Sequence, residues 1–125
     1  MSTVAELREN IEEVVKTLSW KAKGRGYLSI WEMDTDHVYN TLKMIYNHFA
    51  MDCGFDTIGE QNHIYTDMKS ASAKKRRKLL REAIAFSLVI ERRGDLPYEC
   101  QEGYDIISKA LENPFTLIKF LSGRQ

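Results

Sequence analysis

Residues 72–94 read Ser72-Ala-Lys-Lys-Arg-Arg-Lys-Leu-Leu-Arg-Glu-Ala-Ile-Ala-Phe-Ser-Leu-Val-Ile-Glu-Arg-Arg-Gly94, and this stretch decides the fold. Ser72 is a natural helix opener, because its hydroxyl can accept a bond from an otherwise orphaned first-turn N–H. Leu80, Ala83, Ile84, Ser87, Leu88 and Ile90 then recur at helical spacing and make a core face. Arg92 and Arg93 suit the negative end of the helix dipole. Gly94 suits the left-handed residue beyond the last turn, and Pro97 lies where a helix has stopped. A long helix over about residues 72–92 is expected.

Outward from it, the same signals recur. Tyr98 to Leu111 reads as a helix with Tyr104, Ile107, Ala110 and Leu111 inward, broken at Asn113–Pro114. Phe115 to Leu121 is a last apolar turn or two that needs cover from the body or a partner. Upstream, Asp34 or Thr35 caps a helix whose stripe is Val38, Leu42, Ile45 and Phe49, fading near Ala50. With Asp34 as cap, Met33 and Val38 take the two staple positions. Thr3 and Glu6 make a capping-box pattern for a first helix that ends at Ser19 and Trp20. Between these two helices, Gly24 and Gly26 flank a turn, and Tyr27 to Met33 is rich in strand formers. Residues 51–70 show no period, apart from a brief strand near His63–Thr66. The expected fold class is mainly α (α+β): about four helices with one short β-hairpin near residues 20–33, in a single domain over 1–125.

Composition narrows the function classes. The chain has 125 residues, 43% hydrophobic and 29% charged, which is ordinary for a globular domain. Eighteen basic and eighteen acidic residues cancel, so no global field attracts nucleic acid or membrane and any such binding needs a local patch. Two cysteines, Cys53 and Cys100, are too few for a disulfide framework and read as free thiols in a cytoplasmic protein. No signal-peptide pattern or membrane-length apolar run occurs, so no membrane role is expected. None of the zinc, phosphate-loop, dinucleotide or serine-nucleophile patterns occurs, so no metal, cofactor or catalytic residue is expected.

Two groups of residues remain as a candidate ligand site. Lys74, Arg77, Lys78 and Arg81 fall on one face of the long helix, near its positive end. This is either a solvated face paired with nearby acids, or a contact for phosphate, nucleic acid or a protein partner. His37 and Asn40 lie one turn apart on the preceding helix, either as a structural polar lock or as a site.

Residues 20–42 run Trp20-Lys-Ala-Lys-Gly24-Arg-Gly-Tyr27-Leu-Ser-Ile30-Trp-Glu-Met33-Asp-Thr-Asp-His37-Val-Tyr-Asn40-Thr-Leu42. This resembles a pattern in small uncharacterised bacteriophage-encoded proteins: a Trp, a Gly-containing turn, an apolar strand, then Met-x3-His-apolar-x-Asn. The resemblance implies a phage accessory protein in the host-cell cytoplasm and draws attention to Trp20, Met33, His37 and Asn40. The expected function is a non-enzymatic factor that binds and blocks a host component, either a defence effector protein or its signalling nucleotide. The cationic face would hold phosphate, with Trp31 or Tyr39 for the base. The alternative is a nucleic-acid-binding module using the basic helix 74–81. A homo-oligomer paired through the hairpin edge or the Phe115–Leu121 tail is expected in either case.

Overall fold

The computed structural model describes residues 19–22, 26–59 and 72–122. The expected first helix, the turn at 23–25 and the strand near His63–Thr66 lie outside the described residues. So do the side chains of Trp20 and Trp31.

Four helices build the described body: α1 (Thr35–Cys53), α2 (Ala73–Arg93), α3 (Tyr98–Glu112) and α4 (Pro114–Ser122). Each begins and ends for a local reason. Asp34 is the N-cap of α1 through its backbone, with Met33 and Val38 both buried on either side of it. Gly54 ends α1 at φ 78°, a left-handed turn that favours glycine. The Ser72 hydroxyl accepts from the Lys75 N–H at 3.1 Å, and Gly94 closes α2 at φ 63°. Asn113 accepts at its side chain from the Phe115 N–H (2.9 Å), which caps α4 directly behind α3.

The core of the described residues is built mainly from the four helices. Leu42, Ile45 and Phe49 of α1 meet Leu80, Ile84 and Phe86 of α2, with Ile107 and Leu111 of α3 and Leu117 and Phe120 of α4 closing the remaining sides. Phe120 stacks on Phe49 with ring centres 4.7 Å apart and meets Phe55 edge-on at 6.1 Å. The tail expected to need cover therefore finds it within the chain on one face, while Phe115 and Ile118 stay exposed.

The mixed α+β class is thereby corrected to an all-α body. Backbone segments Ser19–Ala22 and Gly26–Ser29 run antiparallel, but four residues a side make no sheet layer. Residues 30–33, expected as the second half of a strand over Tyr27–Met33, do not continue it: Ile30–Glu32 turn as a 3-10 helix. The Ser29 N–H donates to the Glu32 carboxylate at 3.2 Å, which holds the turn. The physical reason is burial: Ile30 and Met33 are three apart, and a helical turn puts both into the core, where a strand would point them to opposite sides.

Arg93 fastens this turn to the end of α2. Its guanidinium donates to the Met33 and Ile30 carbonyls and to the Thr35 hydroxyl. Thr35 in turn donates to Asp95 at 2.7 Å. The start of α1 and the end of α2 are thus one pole of the molecule.

Candidate functional site

The basic run divides in two. Arg76 lies on the core stripe of α2, four residues before Leu80; it is buried and donates to the Phe120 carbonyl at 3.3 Å. Lys74, Lys75, Arg77, Lys78 and Arg81 are all exposed. The four on one face, Lys74, Arg77, Lys78 and Arg81, extend over about 10 Å of helix, given a rise of roughly 1.5 Å per residue. No acidic residue stands in the first turn of α2 to offset its cations. Each first-turn cation therefore costs about 0.3–1 kcal/mol against the dipole, unless an anion is bound.

Glu82 follows this stripe and is buried. Its carboxyl is raised above the usual glutamate range, chiefly by loss of solvation, with Lys78 opposing the shift. A carboxyl raised in this way holds its proton more tightly in the folded chain than in the unfolded one. Its contribution to stability is present in acid and lost as pH rises through the raised value. Glu82→Gln is expected to raise Tm at neutral pH and to lose that gain in acid. A Tm difference that does not change with pH would exclude this reading.

His37 and Asn40 do not form a buried polar lock. His37 is half-buried and Asn40 is exposed. The local bond there is the Thr41 hydroxyl donating to the His37 carbonyl at 2.8 Å, a bond internal to α1. Trp20 and Trp31 have no described side chains, so the stripe and His37–Asn40 are the parts of the expected ligand site that the structure places. They are not brought together. The stripe is on the first turns of α2, while His37 is in the first turn of α1, which packs at the far end of α2.

The residue that organises a cleft is Asn47, which is fully buried. Its carboxamide accepts from the Ile58 N–H at 2.8 Å and donates to the Ile58 carbonyl at 3.1 Å. The Tyr46 hydroxyl donates to the Asp56 carbonyl at 3.4 Å. Together they hold residues 55–58 beside α3 and α4, leaving a cleft of about 430 Å³ edged by Asp56, Thr57, Ile106 and Thr116. Gly103 permits the packing of α1 on α3: a Cβ there would run into the Tyr39 hydroxyl and touch Ile58. A lone glycine inside a helical pattern is the sequence signal that marks such an approach.

Burial pushes the Cys100 thiol up, Asp36 and Glu99 push it further, and Lys43 opposes them. Ser87, Tyr104 and Glu91 form a polar cluster between α2 and α3: the Ser87 and Tyr104 hydroxyls are 3.0 Å apart, and Tyr104 also reaches Glu91 at 3.2 Å. Tyr104 is buried, so this cluster ties the two helices together inside the fold.

Among the described residues no group of three or more His, Cys, Asp or Glu side chains is placed to hold a metal ion. No described helix is long and apolar enough to cross a membrane. Comparison with family models, curated proteins and solved structures finds no match.

Proposed function

We propose that this is a non-enzymatic binding protein that takes a nucleic-acid backbone on the cationic stripe Lys74, Arg77, Lys78 and Arg81. One observation carries the reading: four exposed cations share one helix face at the positive end of α2, with no acid in the first turn to offset them. Phosphates would supply the missing charge. The stripe is extended along one helix face, which suits a repeating polyanion better than a single nucleotide. A nucleotide would call for an enclosing pocket and a stacking ring, and the described cleft is edged by Asp56, not by cations. Within the role that the phage resemblance implies, the host component blocked would be one that carries or engages nucleic acid.

Binding of a labelled oligonucleotide, followed by anisotropy across a salt series, tests this. Neutralising about four phosphates predicts an affinity loss on the order of 10²-fold between about 50 and 200 mM salt. Reversing the stripe with Lys74→Glu, Arg77→Glu and Lys78→Glu should abolish binding while the helical circular dichroism stays unchanged, because all three side chains are exposed. Retained binding in that variant, or a flat salt response, would overturn the reading. A dinucleotide that bound as tightly as the oligomer would shift the ligand to a signalling nucleotide.

A further inference from the structure

The charges of this neutral chain are segregated along α2. Its first turns carry the exposed cations. Its last turn meets an acidic pole. Asp95 holds the start of α1 there through Thr35, and exposed Asp34 and Asp36 flank that threonine. α3 starts after four intervening residues and adds exposed Glu99, Glu102 and Asp105. Of the two arginines at this pole, Arg93 is committed to the Met33 and Ile30 carbonyls. At about 1.5 Å per residue, the centre of the cationic stripe and the end of α2 are roughly 20 Å apart. The two poles are too distant to neutralise each other.

The acidic face of α3 is also apolar in part. Tyr98 is 92% exposed and Ile106 44% exposed. With Glu99, Glu102 and Asp105 they edge one shallow groove, which Gln101 and Lys109 share. A single copy leaves two large apolar side chains exposed on this face beside three carboxylates, of which Asp105 accepts from the Gln101 carboxamide at 3.0 Å, and with Lys109 as the one cation of the groove they leave it net negative. The complement they require is a row of long cations with aliphatic stems, one of which can lie over the Tyr98 ring. The stripe Lys74–Arg77–Lys78–Arg81 is such a row.

We propose that the α3 face formed by Tyr98, Glu99, Glu102, Asp105 and Ile106 docks the cationic stripe of a second copy of this chain. The contact joins two different surfaces and leaves each pole of the pair free to repeat it, so copies add head to tail into a ring or an open chain. The attraction is between exposed charges, so it weakens as salt rises. Nucleic acid competes for the stripe but has no use for the acidic face. Assembly and nucleic-acid binding therefore separate by mutation.

Sedimentation velocity tests this with three forms of the full chain. The wild type at low salt should show concentration-dependent species larger than a dimer that revert to monomer as salt is added. A stripe-reversed form (Lys74→Glu, Arg77→Glu, Lys78→Glu) and a face-reversed form (Glu99→Lys, Glu102→Lys, Asp105→Lys) should each be monomeric. An equimolar mixture of the two should assemble again, because each then offers the other a surface of opposite sign. The face-reversed form should retain oligonucleotide binding, which distinguishes failure of this inference from failure of the nucleic-acid reading. A wild type that is monomeric at low salt, a face-reversed form that assembles like the wild type, or a mixture that stays monomeric would each overturn the proposal. Circular dichroism of each variant confirms that only exposed charges have changed.

Discussion

Phe120→Ala is expected to cost about 3–5 kcal/mol of folding stability, the range for removing a buried aromatic ring. Phe120 is 1% exposed and stacks on Phe49 while its edge meets Phe55. α4 is nine residues long, too short to be a stable helix alone, so its structure depends on the side chains it buries. Phe120 and Leu117 are the large ones. The consequence extends to the buried guanidinium of Arg76, which donates to the Phe120 carbonyl. If α4 loosens, that acceptor leaves and a buried cation loses a bond worth about 1.5–3 kcal/mol. Urea denaturation monitored by circular dichroism measures the loss. A change below about 1 kcal/mol would mean that α4 is not part of the cooperative core. Since whole domains are stable by only about 5–15 kcal/mol, the substitution is expected to bring the chain close to unfolding at physiological temperature.

The legible parts of this fold are those governed by neighbours in sequence. Ser72, Gly94 and Pro97 bracket α2, and Asn113–Pro114 separates α3 from α4, because capping and chain breaking depend on a few adjacent residues. The misread parts are set by contacts between distant residues. Tyr27 to Met33 has strand-forming composition, yet Ile30 and Met33 are drawn into the helical core and the chain turns to place both there. Strand propensity describes a half-buried pleated surface, and among the described residues only the four-residue pairing of Ser19–Ala22 with Gly26–Ser29 supplies one. Arg76 looks like one cation among six, but its position one turn before Leu80 puts it on the buried stripe. That spacing was available in the sequence, although the cost of burying a guanidinium argues against the placement until the Phe120 carbonyl is seen. On α1, Asn40 lies one turn after His37 and is exposed, whereas the buried amide is Asn47, two turns later. Nothing local distinguishes the two. The difference is that residues 55–58 come back to lie against Asn47.

That return makes Asn47 the site of the second large effect. Its carboxamide is a two-point clamp across eleven residues, one acceptor and one donor matched to the N–H and carbonyl of Ile58. Asn47→Ala removes both partners, and the cost is about 2–4 kcal/mol, since each orphaned backbone group carries a penalty of about 1–3 kcal/mol that partial access to water reduces. Asn47→Asp is the sharper experiment. It conserves shape and keeps the acceptor for the Ile58 N–H, but it sets a second oxygen against the Ile58 carbonyl and buries a charge. A loss as large as that of alanine is expected from this nearly isosteric change, and it should grow as pH rises and the introduced carboxyl ionises. If Asn47 merely fills space, Asp should be far milder than Ala. Amide hydrogen exchange at Ile58 provides a local readout: protection should vanish in both variants, and persistence in either would mean that another group holds residues 55–58. Because those residues edge the cleft with Asp56 and Thr57, release of the clamp should also remove its shape. The two clamp bonds run between Asn47 and Ile58 and use no residue of the cationic stripe, so oligonucleotide binding should survive in any fraction that remains folded.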